Sequence, residues 1–459
     1  MLFNSLHYLL FFLVTTPLYY FLGDRNRLVL LLVAGCYFYM AFIPAYVLVL
    51  FAVILLDYGA AHWIATARGP RRRLFLLLSL IANVGLLAAF KYYNFAAENL
   101  RYLCNLNLPP MDLPLPIGLS FHTFQSMAYT IEVFRGSFQP ERNLLRYSVY
   151  VMFYPQLVAG PIERPAGLLP QLAASHAMQP DRIAGGLKLM LWGLFKKVVI
   201  ADRLAVYVNQ VYADPAQYSG PPLMIATFFF AFQIYCDFSG YSDIGIGAAR
   251  VLGYDLMTNF RRPYLAVSVA DFWRRWHISL STWFRDYLYF PLAGARGGSA
   301  RTYRNLLITF VVSGLWHGAN WTFVIWGALH GTYLILARFG RFVNSRWLGR
   351  LVTFCLVLVA WVFFRASSLA QACYVLANWW PGQGGGLLTL GRPLDFWLSL
   401  LLIVGLLITD VLGEKRDENF MEWLARRPVG ERWTLYYLLL FGIAFLGKFA
   451  SEQFIYFQF

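Results

Sequence analysis

Charge is what this chain has least of. Only 13% of its 459 residues are Asp, Glu, Lys or Arg, against about a quarter in an ordinary soluble domain. Cysteine is scarce as well. The five (Cys36, Cys104, Cys236, Cys355 and Cys373) have no metal-type spacing, and most fall in apolar stretches, where a buried free thiol is the default. Neither a disulfide framework nor a zinc site is expected. No glycine-rich phosphate loop, no G-x-S-x-G elbow, no evident repeat and no low-complexity tract is present. What abounds is apolar residue, 59% of the chain. Runs long enough to cross a bilayer, roughly 20 residues, recur from end to end. The chain reads as an all-α, polytopic integral-membrane protein without a sizeable soluble domain.

Spans are predicted near 5–22, 28–43, 45–66, 74–94, 144–160, 186–212, 222–236, 240–253, 303–317, 320–338, 350–364, 396–412 and 434–450. Some of these are expected to be re-entrant or interfacial, leaving about eleven true crossings. The intervals 114–136 and 263–292 are apolar but crowded with Pro, Gly and Arg. They read as half-inserted or surface-lying helices, tolerated where protein or a cavity covers their backbone. A net charge of +15 would suggest nucleic acid on a soluble chain. Here the positive-inside rule accounts for much of it. Arg25 and Arg27 lie in the first loop, and Arg68, Arg71, Arg72 and Arg73 in the third, which makes that side cytoplasmic and puts the N-terminus outside. The first apolar segment lacks a basic lead and a small-residue cleavage site, so it reads as a retained span.

Function in such a chain shows where polar groups persist at membrane depth. In SGLWHGANWTFVIWGALHG (313–331), His317 ends one apolar run and His330 lies inside the next. Each is open to two readings: a hydrogen-bonded structural histidine, or a base poised near neutrality. The Gly318-Ala319-Asn320 break beside His317 favours close approach of backbone or ligand. In FWRRWHISLSTWFRDYLYFPL (272–292), a helical wheel puts Arg275, Ser279, Thr282 and Asp286 on a polar face. Trp273, His277, Leu280, Phe284 and Leu288 share the apolar one. An interfacial helix explains most of this, though not a histidine on the buried face. Arg274, Arg275 and Arg285 suit phosphate groups. In YCDFSGYSDIGIG (235–247), Asp237 and Asp243 read either as an ion relay or as a polar packing network. PIGLSFHTFQ (116–125) and YPQLVAGPIERP (154–165) read as broken helices expected to line a cavity, and Glu163 and Arg164 read as a pair with each other.

These stretches together resemble the membrane-bound O-acyltransferase family. PIGLSFHTFQSMAYTIEVFRG, FYPQLVAGPIERP, YCDFSGYSDIGIG, WVFFRASSLAQA and the terminal FIYFQF look like its bacterial cell-surface branch, which O-acetylates alginate and cellulose. The teichoic-acid D-alanylation proteins are more distant. The likeness covers nearly the whole chain in order. It implies one integral-membrane domain over 1–459: a ring of tilted helices around a central tunnel, thinned near the middle. It puts His317 on the family's catalytic histidine, His277 on its second polar position, and His330 on a further histidine of the branch. The donor implied is a thioester, acetyl-CoA, with no bound cofactor or metal. A hydroxyl attacking that thioester needs a general base, and the developing oxyanion needs a donor. His277, Asn320 and backbone N–H groups near Gly318 are the candidates for the latter, with positioning of substrate as the alternative role for His277.

The last six residues (454–459) carry four aromatic rings. Composition alone reads them as an interfacial anchor. The resemblance implies instead that Tyr456 accepts the acyl group and presents it outside to a partner's serine. A phenol, with a pKa near 10, is readily deprotonated by an assisting histidine, and its aryl ester passes the acyl group on. The stretch 414–432 reads as a cytoplasmic amphipathic loop, and one more span would bring the tail to the outer face. The expectation is an acetyltransferase subunit of a bacterial cytoplasmic (inner) membrane. Its partner would be an extracytoplasmic acetyltransferase resembling SGNH hydrolases; it would touch membrane lipid, act indirectly on an exported polysaccharide and bind no nucleic acid. Peptidoglycan O-acetylation, D-alanyl transfer, a polymer transporter using Asp237 and Asp243, and a scaffold are the rival readings.

Overall fold

A computed structural model describes residues 1–111, 113–116, 118–158, 160–293, 298–339, 345–380, 388–416 and 418–449, and all regular elements among them are helical. The chain divides into two compact units, 1–190 with 244–257 and 191–243 with 258–459.

In the first unit, α1 (Leu6–Phe21), α2 (Asp24–Met40) and α3 (Tyr46–Thr66) are followed by α4 (Pro70–Leu87). Gly69 at φ +60° and Pro70 at the first helical position start α4, as their backbone preferences dictate. A π turn at Ala88–Tyr92 carries α4 straight into α5 (Tyr93–Cys104); α6 (Leu119–Arg135), α7 (Leu144–Met152) and α8 (Pro165–Ala173) follow. Aliphatic side chains such as Leu77, Leu78 and Ile81 remain exposed on α4, as suits a surface facing lipid. Between α3 and α4 the buried Asp57 carboxylate accepts Ser79 Oγ at 2.6 Å and Asn83 Nδ2 at 2.9 Å. α9 (Pro180–Phe195) and α11 (Pro221–Val251) have residues in both units.

The second unit contains α10 (Asp202–Ala213), α12 (Val269–Arg275), α13 (Ile278–Phe284), α14 (Phe290–Ala293), α15 (Ser299–His317) and α16 (Trp321–Leu336). It continues through α17 (Arg346–Arg365), α18 (Leu369–Ala377), α19 (Pro393–Arg416), α20 (Phe420–Ala425) and α21 (Val429–Phe441). Its core is aromatic: Trp276, Trp326, Trp361, Phe230 and Phe364 are all buried.

Several sequence expectations change. The intervals 222–236 and 240–253 are one helix of 31 residues. Asp237 and Asp243 suggested a boundary, but lysines neutralise both, so the helix needs no break there. The interval 144–160 is not a span: α7 ends at Met152 and the chain continues in turns through Pro155, which cannot donate to a helical bond. Among the described residues six helices are long and apolar enough to cross a membrane, with Leu6–Phe21 and Trp321–Leu336 as shorter apolar helices. By that measure the expected count of crossings is not reached. Much of 414–432 is helical, with α20 opened by a reciprocal Asn419–Glu422 capping box.

Candidate active site

The stretch 263–292 is not one amphipathic helix. α12 stops at Arg275, α13 begins at Ile278, and His277 between them takes φ +43° and ψ 55°. A non-glycine residue there is uncommon and costs about 1–3 kcal/mol, so it persists only where its surroundings enforce it. Asn259 enforces it. Its backbone oxygen accepts Ile278 N–H at 2.9 Å. Its side-chain Oδ1 accepts Ser279 N–H at 3.2 Å and Ser279 Oγ at 3.0 Å. The same Oδ1 lies 3.2 Å from His277 Nδ1, and Asn259 Nδ2 donates to Ser242 Oγ at 3.3 Å. Ser279, expected on a polar face, is 1% exposed.

This arrangement sets the His277 tautomer. The atom of Asn259 that takes a backbone N–H must be its oxygen, so His277 Nδ1 must donate to it. Burial holds the ring's pKa down to about 3, so the ring is neutral and Nε2 carries the lone pair. His277 is then an acceptor at Nε2, which does not suit the expected oxyanion role.

α15 and α16 form a tight hairpin. A Cβ on Gly314 would sit 2.1 Å from Phe323 O, and one on Gly327 would sit 2.2 Å from Phe310 O. Only glycine permits that approach. The hairpin carries His317 and His330, 3% and 0% exposed. Trp326 packs edge-on against both, with ring centroids 5.0 Å from His317 and 4.9 Å from His330. Trp316 bridges likewise, 4.9 Å from His317 and 6.3 Å from His277. The three histidines singled out in the sequence therefore lie along one aromatic chain, from His277 through Trp316, His317 and Trp326 to His330. The space beside Gly318 is taken by the Phe323 ring, 2.1 Å from where a Cβ would be.

Two other expected oxyanion donors are engaged elsewhere. Gly318 N–H bonds Gly314 O at 3.3 Å. Asn320 is the N-cap of α16: its side-chain oxygen accepts Thr322 N–H at 3.0 Å and its amide donates to Ser367 O at 3.1 Å.

A cavity of about 590 Å³ opens among α12, α13, α15 and α16, within the usual range for small-molecule sites. Trp273, Leu280, Phe284 and Phe310 line it, with Arg274, Arg285 and Arg338 in the same wall. Ser313, one turn before His317, also faces it. Arg285 is joined to Asp286 at 2.7 Å. Arg275 does not belong here. Two of its nitrogens grip Glu414, each at 2.9 Å, and a third bonds Asp271 at 2.9 Å.

Asp237 and Asp243 are held in ion pairs. Lys197 Nζ lies 2.7 Å from both Asp202 and Asp237, and all three side chains are at most 4% exposed. Lys196 reaches Asp243 at 2.8 Å and Ser239 at 2.8 Å. Both lysines sit in the π turn Lys196–Ala201. In the first unit, Glu163 accepts Met257 N–H at 2.6 Å. Tyr456 and the tail 454–459 lie outside the described residues.

Sequence reasoning missed Asn259, Trp273 and Trp326. Asn259 stands beside an apolar stretch with nothing to mark it, and tryptophans in apolar runs read as packing.

The family model of the membrane-bound O-acyltransferases matches residues 138–375. A probable alginate O-acetylase AlgI of Pseudomonas aeruginosa is 40% identical over 81% of this chain and 73% of its own length. A peptidoglycan O-acetyltransferase of Helicobacter pylori is 33% identical over 94% of this chain and 91% of its own. A teichoic acid D-alanyltransferase of Bacillus subtilis is 25% identical over 52% of this chain and 63% of its own. On the matched span and these identities, the chain is an O-acyltransferase belonging to the membrane-bound O-acyltransferase family.

Proposed function

We propose that this chain is the membrane subunit that takes acetyl from cytoplasmic acetyl-CoA and passes it, through a tunnel, toward an exported alginate- or cellulose-like polysaccharide. The observation that carries the reading is His317, buried at the end of α15 one turn beyond Ser313, which lines a cavity whose wall combines apolar side chains with Arg274, Arg285 and Arg338. An apolar slot with guanidiniums suits a thioester arm that ends in phosphates. His317 acts as general base. It removes the proton of an attacking hydroxyl as the new C–O bond forms at the thioester carbon. The C–S bond then breaks, and the coenzyme A thiol leaves with that proton. A positioned base of this kind contributes about 10²–10⁴-fold. His277, held neutral with its lone pair on Nε2, positions the donor by accepting an amide N–H of its pantetheine arm, since the single hydroxyl proton goes to His317.

The first hydroxyl is the Tyr456 phenol. Acetyl-CoA is too large and charged to cross, so a covalent carrier divides the transfer into two easier steps. A partner with a serine nucleophile, outside the inner membrane, then moves acetyl to the polymer. The relative named as an alginate O-acetylase supports that acceptor. The relative named as a peptidoglycan O-acetyltransferase, aligned over 94% of this chain, supports a second: peptidoglycan.

The test is intact-protein mass after incubation with acetyl-CoA. An acetyl adduct on the wild-type C-terminal peptide, absent in Tyr456→Phe and in His317→Ala, is expected. Polymer acetylation by a wild type that never carries an adduct would remove Tyr456 from the route and leave direct transfer. An active His317→Ala would sink the acyltransfer chemistry as drawn.

A further inference from the structure

Of the oxyanion donors expected from sequence, the Asn320 amide is given to Ser367 O, Gly318 N–H bonds Gly314 O, and His277 donates through Nδ1 to Asn259. The tetrahedral intermediate still needs donors. His330 and Trp326 offer two. Trp273 Nε1 lies 3.3 Å from His330 Nδ1. An indole N–H can only donate, so His330 Nδ1 is the acceptor and the ring proton sits on Nε2. Among the described residues neither His330 Nε2 nor Trp326 Nε1 has a hydrogen-bond partner, although both side chains are fully buried. A buried donor without a partner calls for an explanation. The two rings are 4.9 Å apart, and Trp326 is also 5.0 Å from His317. Trp273 and Phe310, which both pack on His330, line the cavity described above.

We propose that His330 Nε2–H and Trp326 Nε1–H form the oxyanion site for the thioester carbonyl, with Trp273 as the positioning residue that fixes the His330 tautomer. The histidines on either side of His317 thus have opposite duties: His277 presents a lone pair and His330 presents a proton. As the hydroxyl oxygen bonds to the carbonyl carbon, the π electrons move onto the carbonyl oxygen and the two N–H groups hold it. They return when the C–S bond breaks and the thiol departs. The inference rests on the acetyl-CoA reading above.

The test uses two non-transferable coenzyme A analogues and the full-length protein in detergent micelles. One is the ketone in which methylene replaces the thioester sulfur; the other is the ethyl thioether, which has no carbonyl. Wild type is expected to bind the ketone more tightly. His330→Leu and Trp326→Phe should bind the thioether as wild type does, which shows the fold intact, and lose the preference. Their kcat should fall by about 10²–10³-fold for each donor removed, with a smaller rise in KM that matches the lost ketone preference. His330→Gln, whose amide N–H reaches a similar place, should recover part of the preference. Trp273→Phe should weaken it without abolishing it. A preference that survives His330→Leu, or equal binding of both analogues by wild type, overturns the oxyanion site while leaving the donor reading standing. Binding of neither analogue by wild type overturns both.

Discussion

Replacing Asn259 with Leu is the sharpest test of how the site is built. The change keeps the number and branching of side-chain heavy atoms and deletes one oxygen that serves three donors, with the amide that donates to Ser242 Oγ, in a place 1% exposed. The Ser279 hydroxyl can rotate away. Ser279 N–H and His277 Nδ1–H cannot, and each buried donor left unsatisfied costs about 1–3 kcal/mol. Both bonds are 3.2 Å long, which argues for the lower half, so the expected loss is about 2–4 kcal/mol. The acceptor is also what selects the Nδ1–H tautomer of His277. Without it the ring can carry its proton on Nε2, and activity per folded molecule should fall about 10–100-fold, the range for losing a group that orients a histidine. Asn259→Asp is the control. It retains the acceptor, so most of the stability returns. It also adds negative charge beside the imidazole, which favours the protonated ring, and the acid limb of the pH–activity profile should move to higher pH. Denaturant midpoints in micelles and acetyl transfer across pH read both effects. An Asn259→Leu protein within about 0.5 kcal/mol of wild type, with unchanged activity, would refute the reasoning.

Arg274→Ala and Arg338→Ala, which remove cavity-wall guanidiniums, should raise KM for acetyl-CoA about tenfold if each holds a phosphate. Arg275→Ala should leave KM alone and lower the denaturant midpoint instead, since Arg275 is tied to Glu414 and Asp271. Asp237→Asn leaves buried Lys197 with Asp202 alone, and removing one partner of a buried ion pair costs about 3–5 kcal/mol. Unfolding curves should show that loss, while turnover per folded molecule stays near wild type; a folded, inactive Asp237→Asn would favour an ion relay. Gly327→Ala puts a methyl 2.2 Å from Phe310 O. It should cost about 1–3 kcal/mol in overpacking and lower kcat by shifting His330 against Trp273. Burial holds His277 at about 3, against about 6.5 in the unfolded chain. The folded state therefore binds fewer protons, and this contribution to stability is present above about pH 6.5 and lost as pH falls toward 3. His277→Asn should unfold with a shallower acid dependence than wild type.

Helix ends and polar interruptions were legible to different degrees. α3, α17 and α19 have uniform apolar composition, so hydropathy placed them within a few residues. α11 is split in two because Asp237, Ser239 and Asp243 lower the local hydropathy, and nothing in the sequence shows that Lys197, 40 residues before Asp237, and Lys196, 47 before Asp243, reach across from a π turn to neutralise the two carboxylates. α7 was overextended because Phe153 and Tyr154 continue an apolar run past the point where Pro155 ends the helix. Hydropathy measures a segment by itself. The continuity of α11 depends on partners far along the chain, and the end of α7 on a proline whose missing N–H hydropathy does not weigh.

The site shows the same divide more sharply. His277, His317 and His330 stood out because imidazole is expensive inside apolar runs, and the structure gathers all three around Trp316 and Trp326. Which nitrogen of His277 and of His330 carries the proton was not legible, and for His277 it decides between the two roles expected, against oxyanion donor and for positioning substrate. That choice is made by Asn259 for one ring and by Trp273 for another, residues whose own types carry no functional signal. The helix-wheel reading of 272–292 failed for a related reason. It assumed continuous helix through Trp276 and His277, whereas the Asn259 carbonyl and amide oxygens draw Ile278 and Ser279 into a turn. That turn is what sends His277 toward Trp316. A positive φ at a histidine is a local cost, and the sequence shows the cost only as a failed periodicity. The bonds that repay it come from a residue 18 positions earlier, so a sequence search for catalytic histidines in this family finds the rings and misses the groups that decide what each ring can do.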